Sequence, residues 1–170
     1  CGTNAAMSAE IAKTSGELAT IGTNLAAATD VAAAKTLYKS IFIDERVYLL
    51  VAPKNAKVVR CDTQLTRNEA LTNEGAKLQA NIDAAKAKGT DTPAAQAAKD
   101  AAMAQLATIN PAPALASITG LTPDHGDKAV QASNTAALNG ADAALDASYA
   151  AQKSVNQQFD AARKLLQGSN

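Results

Sequence analysis

The residues best suited to chemistry in this sequence surround its single histidine, His125, which follows Asp124 and lies two residues before Asp127. An imidazole beside two carboxylates could hold a metal ion or act as a general base. Neighbours in sequence rarely converge on one ion, however, and a metal site needs more ligands than this segment offers. We therefore interpret the segment as a loop in which Asp124 or Asp127 caps the following helix. We predict no catalytic, cofactor-binding or metal site.

A second candidate for chemistry is Cys61, which lies among Val58, Val59 and Leu65. A cysteine in such apolar company is typical of a buried small side chain, and nucleophiles need a more polar setting. The chain has no CxxC or Cys/His ligand spacing, which excludes a zinc motif. Phosphate-binding loops and hydrolase motifs are likewise missing from the sequence.

The composition indicates a single helical domain over residues 1–170. Roughly a quarter of the chain is alanine, which has the highest helix propensity of all residues and a very small side chain. The formal net charge of +0 gives no overall field to attract nucleic acid, and an aromatic content of 3% leaves few stacking platforms. We therefore predict no nucleic-acid partner. No apolar run is long enough to cross a bilayer.

Large apolar residues recur every seven positions in the first and last parts of the chain, as in helices that pack side by side. Ile11, Leu18 and Leu25 mark a helix over about 3–34, and Leu138, Leu145 and Phe159 mark one over about 127–167. In the latter, Gln152 lies in the apolar row, where a polar residue tends to set the register.

Two further helices lie between them. One runs over about 63–88 and ends at Gly89; another begins at Thr92-Pro93 and ends near Thr108. Leu115, Ile118 and Leu121, in the proline-punctuated connection over 110–124, are expected to close one end of the structure. These patterns predict an all-α, elongated, antiparallel bundle of about four main helices.

The segment 35–62 leaves two interpretations open. In the first, a β-hairpin near 46–62, Val47–Ala52 would pair with Lys57–Asp62. In the second, a helix would end before Pro53, where a new helix could begin. We favour helix because five consecutive large apolar residues do not alternate as a strand should. We expect the apolar run Ile41–Val51 to pack in the core and not to form an exposed interaction surface. Lys54, Lys57, Arg60 and Arg67, with Lys35 and Lys39 upstream, form a basic stretch that suits a solvated face or contact with anionic lipid.

The residues Cys1-Gly2-Thr3-Asn4 resemble the mature start of small alanine-rich lipoproteins of Gram-negative bacteria, some of which are surface antigens. The resemblance implies a lipid on Cys1, with residues 1–8 as a tether, and a location in the cell envelope, anchored to the outer membrane. Two cysteines could form a disulfide, but a lipidated Cys1 would leave Cys61 alone. The expected role is non-enzymatic: structural, antigenic or binding, through another protein or self-association.

The alternative role is that of a carrier. It would hold an apolar ligand between helices, in a site lined by aromatic side chains. The candidates for that lining are Tyr38, Phe42, Tyr48 and Phe159.

Overall fold

The computed structural model describes Cys1 and residues 4–168, apart from the side chains of Asn4, Ala6 and Tyr48. Within this part of the chain every regular element is helical, which confirms the all-α prediction. The β-hairpin, the less favoured alternative near 46–62, is wrong, and the described residues form five α-helices where about four were expected. They are α1 (Asn4–Ala27), α2 (Val31–Ile43), α3 (Ala52–Ala87), α4 (Pro93–Thr108) and α5 (Lys128–Gly168), with a π-helical turn at Val47–Val51 and a 3₁₀ turn at Ala112–Leu115.

The chain divides into two compact units. Unit 1 comprises Cys1–Cys61 and Ala112–Ala143; unit 2 comprises Asp62–Pro111 and Ala144–Asn170. Helices α3 and α5 each contribute residues to both units. The single domain over 1–170 stays a prediction.

The core of unit 2 is formed where α3, α4 and α5 pack through narrow faces. Leucine and isoleucine of α3 meet alanines of α4, whose small side chains let the helices approach closely. Phe159 of α5 is completely buried among them. The heptad row of α5 therefore contributes Phe159 to the core, as its spacing predicted. The buried members of this cluster are Leu71, Leu78, Ile82, Ala95, Ala102, Leu106, Val155, Phe159 and Ala162.

The helix ends in unit 2 follow local sequence signals. Gly89 adopts a φ of +86°, a left-handed conformation that glycine tolerates best, two residues after α3 ends. Thr92 precedes Pro93, the first residue of α4, where a missing N–H costs nothing. Both predicted boundaries are confirmed.

The first part of unit 1 holds two helices where one was predicted over about 3–34. Helix α1 ends at Ala27, and Asp30 begins α2 by accepting a hydrogen bond from the backbone N–H of Ala33 at 2.8 Å. This N-cap interrupts the heptad row because it sets a new helix direction. The tether expected at residues 1–8 stays a prediction; the chain is helical from Asn4 onward, and Gly2 and Thr3 lie outside the described residues.

The segment predicted as hairpin or helix is helical. Arg46 takes a left-handed φ of 44°, the π-helical turn follows it, and Pro53 lies in the first turn of α3, where proline is tolerated. The apolar run faces both ways: Leu50 is buried, whereas Leu49 is 57% exposed. A two-stranded hairpin would have satisfied fewer backbone groups here than the helix does.

Candidate ligand-binding cavity

Unit 1 contains a cavity of about 330 Å³ with mostly apolar walls. Its volume lies at the lower end of the range that is typical of small-molecule sites. Three stretches of chain form it: the first turns of α1, the first turns of α3, and the segment that follows the 3₁₀ turn. The lining residues are Met7, Glu10, Lys54, Asn55, Val58, Leu115, Ile118, Thr119, Gly120, Leu121 and Thr122.

The segment over 115–122 forms one wall because local hydrogen bonds and apolar burial hold it in place. Leu115 and Ile118 are 3% and 1% exposed, so both are buried, while their expected position at one end of the structure stays a prediction. The Thr119 hydroxyl donates to the carbonyl of Leu115 at 2.7 Å. At the far end, the Asn134 amide of α5 donates to the carbonyl of Thr122 at 2.9 Å. The wall is therefore ordered without being a helix.

An ion pair supplies the polar end of the cavity. Lys54 Nζ donates to Glu10 Oε1 at 2.7 Å and approaches the carbonyl oxygen of Leu121 at 3.4 Å. The Lys54 side chain is only 10% exposed, whereas that of Glu10 is 27% exposed. The pair joins α1 to α3, and together its two charges can accept or donate a hydrogen bond to a bound molecule.

A disulfide between Cys1 and Cys61 lies one helical turn beyond Val58 of the cavity wall. The Cα atoms of the two cysteines are 6.2 Å apart, and Cys61 is fully buried. Burial of Cys61 was predicted, and of the two states left open for its sulfur the structure shows the disulfide with Cys1. A lipid thioether on Cys1 would require that same sulfur atom.

The segment around His125 is a capping loop. Asp127 Oδ1 accepts from the backbone N–H groups of Ala129 and Val130 at 2.7 and 3.2 Å and so begins α5, which confirms that interpretation. His125 Nδ1 lies 3.1 Å from Asp44 Oδ1, and both side chains are about half exposed or more. Within the described residues, no three histidine, cysteine, aspartate or glutamate side chains are grouped closely enough to hold a metal ion.

Asp124 anchors the same loop to the start of the π-helical turn. Arg46 Nη2 donates to Asp124 Oδ1 at 2.5 Å, and the backbone N–H of Gly126 donates to the same oxygen at 2.8 Å. The hydrogen bond from Arg46 holds the pKa of Asp124 below its ordinary value, with a further contribution from Gly126. This loop is a structural junction between α2 and α5.

The basic stretch of α3 is engaged within the protein. Lys54 pairs with Glu10, Lys57 Nζ lies 2.8 Å from Asp142 Oδ2, and Arg60 lies 3.5 Å from the other oxygen of Asp142. Arg67 stacks over the ring of Tyr149 with 5.0 Å from its Cζ atom to the ring centroid. These four side chains therefore hold helices together and do not form an open lipid-binding patch.

The aromatic lining expected for a carrier is wrong for Tyr38, Phe42 and Phe159. Phe159 is fully buried in the core of unit 2, whereas Tyr38 and Phe42 are 57% and 46% exposed on α2. The side chain of Tyr48 lies outside the described residues. The sequence analysis did not identify Met7 and Glu10 as cavity residues, because they are far in sequence from Lys54. The one sequence signal for the cavity was the group of apolar residues between Pro113 and Gly120.

Comparisons of the chain with known protein families, curated proteins and solved structures found no match. Among the described residues, no helix is both long enough and apolar enough to span a membrane.

Proposed function

We propose that this chain is a non-enzymatic binding protein that holds a small, largely apolar molecule in the unit 1 cavity. The single observation that carries the proposal is the cavity itself: apolar walls from three parts of the chain with one ion pair at its edge. A ligand with an apolar body and one polar group matches this lining, because the walls would cover the body while Glu10 or Lys54 meets the polar group.

Binding of an apolar fluorophore tests the proposal. N-phenyl-1-naphthylamine is titrated into the wild-type chain and into two variants that fill the cavity, Gly120→Phe and Met7→Trp. Nothing lies within 4 Å of a Cβ placed on Gly120, so a side chain can start there without a steric clash at its first atom. We expect saturable fluorescence for the wild type and a loss of tenfold or more in affinity for both variants.

Gly22→Phe is the matched control, since a Cβ at Gly22 also meets nothing within 4 Å and Gly22 does not line the cavity. It should bind the fluorophore as the wild type does. Equal binding by the wild type and both filling variants would show that the probe is held elsewhere and would remove the proposed role.

We further propose that the protein works in the bacterial cell envelope. The disulfide supports this location, because such bonds form and persist in oxidising compartments. A lipid on Cys1, anchoring the chain to the outer membrane, rests on the resemblance of Cys1-Gly2-Thr3-Asn4 and competes with the disulfide for one sulfur atom. We propose that the lipidated form carries a free, buried Cys61 and that the unmodified form carries the disulfide. Binding to another protein or to a second copy stays part of this proposal.

Intact mass spectrometry of the chain, produced in a Gram-negative host with an export signal suited to lipoproteins, distinguishes the two forms. The anchored form has the mass of the acyl groups added and one thiol that reacts with an alkylating reagent after unfolding. The disulfide form has neither. Recovery of only the unmodified chain from the membrane fraction would reject the anchor, and a Cys1→Ser variant controls for lipid that is merely adsorbed.

A further inference from the structure

Helix α2 presents an apolar face to solvent. Within the described residues it has no buried side chain, and Val31, Tyr38 and Phe42 are 69%, 57% and 46% exposed. Their spacings of seven and four residues place them on one side of the helix. The rings of Tyr38 and Phe42 pack edge to face, with centroids 5.0 Å apart.

The apolar face extends beyond the helix. Phe42 lines a shallow depression of about 50 Å³ together with Leu49 of the π-helical turn, and Leu49 is 57% exposed. A row from Val31 to Leu49 is more exposed apolar surface than scattered single residues would give.

Two lysines border this face, and α2 itself contains no acidic residue. Lys35 and Lys39 are both exposed, and among the described residues neither lies within ion-pair distance of a carboxylate. The acidic groups at the helix ends contact other parts of the protein: Asp30 caps the N-terminus, Asp44 lies beside His125, and Glu45 lies beside Glu17 of α1. The face is therefore positively charged along one edge and apolar along its centre.

We infer that this face of α2 docks on an anionic lipid surface. An interfacial helix needs apolar and aromatic side chains that enter the boundary of the acyl region and lysines that meet the headgroups. Tyrosine is common at the boundary between headgroups and acyl chains, because its ring is apolar and its hydroxyl stays hydrated. The basic residues in the first half of α3 contact groups within the protein, so Lys35 and Lys39 carry the charge complementarity of this face. The inference is independent of the cavity and of any lipid on Cys1.

Vesicle flotation tests it with the full-length disulfide form, which carries no acyl group. The wild type is mixed with vesicles of phosphatidylglycerol in phosphatidylcholine, and with vesicles of phosphatidylcholine alone. We expect binding to the anionic vesicles that decreases as salt is added. The variant K35Q/K39Q should bind roughly fivefold more weakly for each lysine removed, and Y38S/F42S should lose binding further.

The matched control for charge is K86Q/K88Q, which removes two exposed lysines, one in the last turn of α3 and one just after it. The control for apolar surface is V130S/L165S. Both should bind as the wild type does, and circular dichroism should show unchanged helix content for all four variants. Absence of binding to anionic vesicles, or equal losses in the variants and their controls, would overturn the inference. A second outcome would also overturn it: the wild type associates with itself in the absence of lipid, and Y38S/F42S abolishes that association but still binds vesicles. The face would then bind a second copy of the chain.

Discussion

Gln152 of α5 donates its side-chain amide to the backbone carbonyl of Gln64 in α3 at 2.7 Å, and both residues are almost fully buried. The same amide donates to Asn68 Oδ1, also at 2.7 Å, while Gln64 donates to the carbonyl of Leu145 at 2.8 Å. These bonds hold α3 and α5 in one register within unit 2. Only a side chain with N–H donors at position 152 can make them.

Replacing Gln152 by glutamate therefore puts a carboxylate oxygen, which can only accept, next to the carbonyl oxygen of Gln64 and Oδ1 of Asn68, which also accept. At neutral pH we expect Gln152→Glu to lower the free energy of unfolding by on the order of 3 kcal/mol, because a buried carboxylate has lost both donors. Part of the loss should be recovered as the pH falls toward the ordinary pKa of glutamic acid, about 4.3, where the protonated acid can donate once. Urea unfolding at both pH values measures this. Gln157→Glu, at an exposed position of the same helix, should change little.

The two phenylalanines of the chain occupy opposite environments. Phe159→Ala should cost about 3–5 kcal/mol of unfolding free energy, because it opens a cavity in the tightly packed core of unit 2. Phe42→Ala, at a residue that is 46% exposed, should cost less than about 1 kcal/mol. Equal losses in thermal or urea unfolding would contradict the assignment of Phe159 to the core and Phe42 to the surface.

The contact between Arg46 and Asp124 makes stability depend on pH in the acid range. Asp124 has a lowered pKa in the folded protein, so its contribution is present above the ordinary value of 3.8 and is lost as the pH falls through the folded pKa. Asp124→Asn should be less stable than the wild type at neutral pH, and the difference should shrink on acidification. The stability of Asp91→Asn, at an exposed position in unit 2, should change with pH as that of the wild type does. A stability difference between Asp124→Asn and the wild type that stays constant with pH would count against the ion pair.

The cap of α5 gives a local prediction. Asp127→Ala removes the acceptor for two backbone N–H groups and should cost about 1 kcal/mol, whereas Asp127→Ser should retain most of the stability. Equilibrium unfolding followed by circular dichroism compares the two variants. If alanine and serine behaved alike, the side chain would not be acting as a cap.

The disulfide closes a loop of 60 residues in sequence separation. Reduction should lower the free energy of unfolding by about 2–4 kcal/mol, because the unfolded chain regains freedom that the bond had removed. Urea unfolding with and without reductant measures the difference. The double variant C1S/C61S should unfold like the reduced wild type and should not respond to reductant.

Sequence periodicity predicted those parts of the fold that depend on near neighbours. Leu138, Leu145 and Phe159 are buried where their heptad row places them, because seven residues return a side chain to the same helix face. The same rule failed for Ile11 and Leu25, which are 45% and 38% exposed. Periodicity identifies a helix face but does not say whether another element covers it.

The sequence by itself determined the helical class, the buried row of α5, the end of α3 near Gly89 and the cap at Asp127. Each of these depends on backbone geometry within a few residues of its signal. Only the tertiary structure decided the contacts of Glu10 with Lys54, of Cys1 with Cys61 and of Arg46 with Asp124, and hence the cavity and the exposed face of α2. Those pairs are 44 to 78 residues apart in the chain, and such distant meetings follow from how helices pack, which no local pattern encodes.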